Sequence, residues 1–94
     1  MRPVQHVPLP EGAHRDLIER LRELHLQAGL PSLRDVARRT CALSRDTVHR
    51  VLVGRSVPRW GPLELVVEAL DGDVELFREL WIAAQRSREA DVDR

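Results

Sequence analysis

The chain has 94 residues, room for one ordinary domain and too few for two. Hydrophobic residues make up 43% and charged residues 32%, a globular balance rather than a disordered one. Fifteen basic side chains oppose fifteen acidic ones, so net charge alone argues for no anionic partner, and the short apolar runs exclude a transmembrane helix.

Residues 1–12, with Pro3, Pro8 and Pro10, read as an extended arm. The arm lacks the apolar stretch of a signal peptide, so a cytoplasmic location is expected. From Ala13 to about Ala28, Leu17, Ile18, Leu21, Leu24 and Ala28 recur at three- and four-residue spacing, the stripe of an amphipathic helix. Gly29 offers it a left-handed cap, and Pro31 prevents its continuation. Ser32-Leu-Arg-Asp35 is a near capping box that opens a second helix to about Thr40, burying Leu33, Val36 and Ala37. Cys41-Ala42-Leu43 forms a turn. Ser44 then caps a third helix, Arg45 to about Val53, which buries Val48, Val51 and Leu52 and stops at Gly54. Arg55–Gly61 reads as a loop. Pro62 suits the first position of a fourth helix, to Leu70, burying Leu63, Val66, Val67 and Leu70. Asp71-Gly72-Asp73 ends that helix and caps a fifth, from Val74 to about Arg86. Residues 87–94 are a charged tail expected to fray. No sustained alternation of β-branched residues predicts a strand. The expected fold is all-α, a five-helix bundle over residues 13–86.

Charge is segregated along the chain. Residues 34–60 carry seven arginines (34, 38, 39, 45, 50, 55 and 59) against Asp35 and Asp46, whereas residues 61–94 carry four against nine acids. A basic middle on an otherwise acidic protein is what a phosphate-facing surface requires. The alternative is that the two segments pair with each other. All fifteen cations are Arg, a choice that codon bias explains. Cys41 is the only cysteine, which excludes an internal disulfide and a thiolate zinc cluster. His6, His14, His25 and His49 lack the i, i+4 spacing of a helical metal site, so neither metal nor cofactor is expected. Cys41 itself reads as a small buried apolar residue, with a redox sensor as the alternative. No Ser/His/Asp or Cys/His arrangement sits near a glycine-rich loop or paired acids, and an enzyme is not expected.

The second and third helices are the informative pair. Ala37 is small enough to let two helices cross steeply over a short turn. Inward-facing Val48 and Val51 leave Arg45, Asp46, His49 and Arg50 on one outward face, beginning at a capped helix start. Ser44-Arg-Asp-Thr-Val-His-Arg-Val-Leu52, Pro58-Arg-Trp60 and Leu63-Glu-Leu-Val-Val-Glu-Ala-Leu70, in this order, resemble the phage-repressor (XRE, or lambda-repressor-like) helix-turn-helix domains, closest to a subgroup from high-GC bacteria. The resemblance covers about residues 13–86. There is one departure: Cys41 stands where the family usually has Gly, and Ala42 is an extra residue, so the turn is one residue longer.

The resemblance implies a lambda-repressor-like bundle and a sequence-specific transcriptional regulator that reads the major groove of double-stranded DNA with residues 44–53. Arg45, Asp46, His49 and Arg50 are then the base-reading candidates. Thr47, Arg55, Arg59 and Trp60 face phosphates, and Arg34, Arg38 and Arg39 on the positioning helix add sequence-independent attraction. Asp46 either accepts from a cytosine amino group or holds Arg50 four residues on. His49 either contacts DNA or is simply solvated. Trp60 either packs under its loop or donates to a phosphate. On the last helix Trp81 lies with Phe77, Leu80 and Ala84 and reads most simply as core, while Val74, Leu76, Ile82 and Ala83 extend the apolar surface beyond one stripe, so Val74, Leu76, Phe77, Leu80, Trp81 and Ala84 are the candidates for a surface that meets a partner. That surplus suggests a partner surface, with a second copy of the chain as the expected occupant and DNA half-sites as its target. The alternative function is a protein-interaction module of the same fold, the N-terminal part of a larger multidomain protein, with a protein partner on that surface.

Overall fold

The computed structural model describes residues 12–92, which form α1 (Ala13–Gln27), α2 (Leu33–Thr40), α3 (Arg45–Val53), α4 (Trp60–Ala69) and α5 (Val74–Val92), with no strand among them. Apart from Gly12, the expected N-terminal arm lies outside the described residues. The architecture is the all-α, five-helix bundle that the periodicity predicts, and it fits the lambda-repressor-like bundle that the resemblance implies.

Local chemistry places the helix ends. After α1, Gly29 takes φ 93°, the amide of Gly29 donates to the Leu26 carbonyl and that of Leu30 to the His25 carbonyl, both at 3.0 Å. These are the paired bonds of a Schellman cap, and they satisfy carbonyls the helix would otherwise leave open. The Ser32 hydroxyl accepts from the Asp35 amide at 3.1 Å to start α2, and the Ser44 hydroxyl accepts from the Thr47 amide at 3.2 Å to start α3. Asp73 does the same for α5 through the Leu76 amide at 3.2 Å.

Two helix boundaries differ from expectation. α4 begins at Trp60, so Pro62 is its third residue rather than its first. Every amide in the first turn lacks an intrahelical partner, so a proline is tolerated there as well. α5 continues to Val92 instead of ending near Arg86. Ala83, Ala84, Gln85, Arg86, Glu89 and Ala90 are all good helix formers with no Gly or Pro among them, and the expected tail is helical as far as it is described.

The core joins all five helices: Leu17, Ile18 and Leu21 from α1, Val36 from α2, Val48 and Val51 from α3, Leu63, Val66 and Val67 from α4 with Leu70 beyond it, and Phe77 and Ala84 from α5. Leu33, Ala37, Leu52, Leu80 and Trp81 are half-buried at its rim. α1 packs mainly along α5, α2 contacts α3 and α4, and α4 also supports α3 and α5. Among the described residues no polar side chain is buried outright, so apolar burial holds the bundle. The last helix therefore faces inward with Phe77 and Ala84, which take the core position also read for them and are not available as a partner surface.

Candidate nucleic-acid interface

α2 and α3 are joined by a turn that the Thr40 hydroxyl ties together. It donates to the Ala37 carbonyl at 2.7 Å and accepts from the amides of Ala42 at 3.3 Å and Leu43 at 3.0 Å. Cys41 occupies the left-handed region, φ 59°, where a glycine would be unstrained. The longer turn thus keeps the backbone conformation of a glycine turn and replaces the glycine by strain plus a threonine clasp. Cys41 is exposed, contrary to the buried position expected of it, and its thiol donates to the Arg38 carbonyl at 3.4 Å.

With Val48 and Val51 buried, α3 presents Arg45, Asp46, His49 and Arg50 to solvent. Nine residues make this helix about 13 Å long, a length that fits within a major groove. A cleft flanks each end. At the start, Ser32, Leu33, Arg34 and Arg45 line about 350 Å³. At the end, His49, Arg50, Val53, Arg55 and Ser56 line about 380 Å³. Each cleft combines arginines with a serine, and among the described residues that line them there is no carboxylate. By contrast, a third depression, between α1 and α5, is lined by Asp16, Glu19, Arg20 and Leu80, a lining unsuited to phosphate.

The other expected contacts are distributed less simply. Arg38 pairs with Asp35 at 3.3 Å, an exposed pair of small energetic weight. The Arg39 guanidinium donates to the Ala69 carbonyl at the end of α4, 3.3 Å away, so it braces the bundle as well as carrying charge. Thr47 is half-buried, its hydroxyl 3.1 Å from that of Ser44. Asp46 and Arg50 form no ion pair among the described residues, nor does any ion pair there join residues 34–60 to residues 61–94. Arg59 is exposed before α4. Trp60 packs against Trp81, ring centroids 5.7 Å apart, with the Arg78 guanidinium 5.3 Å from its centroid. The Trp81 indole donates to the Pro58 carbonyl at 2.8 Å, tying the loop after α3 to α5.

α1 grips the end of α3, which the periodicity of α1 alone does not reveal. Arg22 donates to the Val53 carbonyl at 3.3 Å. Gly54, at φ 78°, lies so close to Ile18 that a Cβ there would fall 2.8 Å from its side chain. His14 lies against Gly54 and Ser56, half-buried, with Nε2 lacking a hydrogen-bond partner. Burial holds its pKa below the ordinary 6.5, more strongly than the nearby backbone of Ser56 and Gly54 raises it. Ser32, Leu33, Val53 and Ser56 complete the two clefts without any local sequence signal beyond their neighbouring arginines.

Two packed helices joined by a short turn, with the second helix exposed along its polar face and set on a packed bundle, define a helix-turn-helix module, a class that binds DNA. The family model described as "Helix-turn-helix domain" matches residues 16–80, more than half of the chain, and the chain belongs to that family. No curated protein and no solved structure matches it. Among the described residues no helix is long and apolar enough to cross a membrane.

Proposed function

We propose that this protein is a sequence-specific transcriptional regulator of the phage-repressor-like type, which reads the major groove of double-stranded DNA with α3. The observation that carries this reading is the placement of Arg45 and Arg50: both are exposed on α3, and each lines one of the two carboxylate-free clefts flanking it. An arginine in the groove grips guanine O6 and N7 with two parallel hydrogen bonds, worth about 1–3 kcal/mol of discrimination. In this reading Asp46, which forms no ion pair with Arg50 among the described residues, accepts from a cytosine amino group, and His49, which lines the second cleft, contacts a base or a phosphate. Arg34, Arg55, Arg59 and, more weakly, Arg38 supply phosphate attraction around the helix. Such a regulator acts in the cytoplasm, on the nucleoid.

The homodimer and the protein-interaction alternative rest on a narrower footing. The outward side of α5 offers exposed Ile82 and Ala83 and half-buried Leu76 among Glu75, Glu79 and Arg86, and Ile82, at 37%, is the one exposed large hydrophobic of that helix among the described residues. DNA binding is therefore the reading to test first. Fluorescence anisotropy of a labelled duplex is followed at roughly 50 and 200 mM salt, beside Arg45→Ala and Arg50→Ala. Six to ten phosphate contacts predict a loss of about 10³–10⁵ in affinity across that range, with a further drop in both variants. Undetectable binding at the lower salt, with both variants folded, would transfer the reading to the interaction module.

A further inference from the structure

We propose that Arg22, on α1 and outside the helix-turn-helix pair, is a positioning residue for the reading helix. This rests on the DNA-binding reading above. The Arg22 guanidinium donates across 31 positions of chain to the carbonyl of Val53, the last residue of α3, in a half-buried site. Helix ends leave their final carbonyls open and carry partial negative charge, so a cation there satisfies both demands at once. No carboxylate forms an ion pair with Arg22 among the described residues, which leaves its charge directed at that helix end.

The contact is stiff on both sides. Gly54, next along the chain, is pressed onto Ile18, four residues before Arg22 on the same helix. Val53 itself lines the cleft that contains His49, Arg50, Arg55 and Ser56. Arg22 therefore fixes, from behind, the turn of α3 that presents Arg50 to the groove and the loop that presents Arg55 to the backbone. Losing it leaves the arginines in place and loosens the angle at which they arrive. The consequence falls on sequence discrimination, which depends on sub-ångström placement of bidentate contacts, more than on phosphate attraction, which tolerates motion.

The test compares duplexes selected by the wild-type protein from a randomised pool with unselected duplexes of the same pool. Arg22→Met keeps the apolar stem and removes the donor; Arg22→Lys keeps a cation within reach. For Arg22→Met, affinity for unselected duplex stays within about twofold of wild type, with an unchanged salt slope. Its preference for selected duplex falls about three- to tenfold, and Arg22→Lys recovers part of that preference. Should Arg22→Met lose its helical signal, Arg22→Gln carries the same comparison. Equal losses on both duplexes with a shallower salt slope would make Arg22 a phosphate contact and overturn the proposal, as would an unchanged preference. A wild-type protein that enriches no sequence overturns instead the DNA reading on which the proposal stands.

Discussion

Arg45 and Arg50 are separated by one turn and a half of α3, and each has a cleft of its own, so their contributions to binding should be close to independent. Replacing Arg50 by Ala should weaken binding to a selected duplex by about 1–3 kcal/mol while leaving thermal stability within about 0.5 kcal/mol, because its side chain is exposed and makes no intramolecular bond among the described residues. Titration by anisotropy beside a melting curve separates the two effects. His14 carries a different kind of prediction. Its pKa is lowered by burial, so in the folded state it stays neutral at a pH where the unfolded chain binds a proton. Its contribution to stability is intact above pH 6.5 and is lost as pH falls from there through the folded pKa. Melting temperatures at pH 7.5 and 5.5 should draw closer together in His14→Gln than in wild type; an unchanged gap would remove His14 as a source of acid sensitivity. The outward residues of α3 were legible because two buried valines define the inward face. Arg22 was not legible, since a bond between residues 31 positions apart leaves no local pattern.

At the scale of elements, the turn between α2 and α3 decides how the reading helix is carried. Cys41 sits at a positive φ without the freedom of glycine, a strain of about 1–2 kcal/mol that the extra flexibility of an unfolded glycine chain would partly offset. Cys41→Gly should therefore be neutral to stabilising, by up to about 1 kcal/mol in urea denaturation, and a loss of more than that would show that the cysteine side chain supports the turn. Ser44→Ala should cost about 1 kcal/mol, because the Thr47 amide loses its acceptor at the start of α3. The first three helices were readable almost to the residue because Ser32, Gly29, Ser44 and Gly54 are strong end signals. The start of α4 was not. Arg59 provides no side-chain cap, and Pro62 is acceptable anywhere in a first turn. The end of α5 escaped for the opposite reason: a charged composition resembles a tail, yet between Arg86 and Val92 no Gly or Pro stops the helix, and Arg88, Glu89 and Ala90 favour it.

The whole molecule is an apolar bundle in which the middle and the C-terminal third of the sequence carry opposite charge, with the positive arginines gathered on and around α2–α3 and the acids on and around α4 and α5. Nothing in the ion pairing of the described residues cancels that separation, which orients a polyanion toward one face. The support is the core: Leu63 is fully buried between α4 and its neighbours, and Leu63→Ala should cost about 2–5 kcal/mol in chemical denaturation and weaken DNA binding only through the folded fraction. Segregated charge could be read from the chain directly. The division of the arginines among cleft lining, bundle bracing and ring stacking required Arg39 to be seen against Ala69 and Arg78 against Trp60. The central claim, that the α3 face is the working face, is tested most directly by following backbone amide chemical shifts of the isotope-labelled protein as duplex DNA is added. The account predicts that the perturbed amides cluster in residues 32–34 and 44–56, with α5 unmoved. Perturbation concentrated on residues 75–86, with α3 silent, would contradict it.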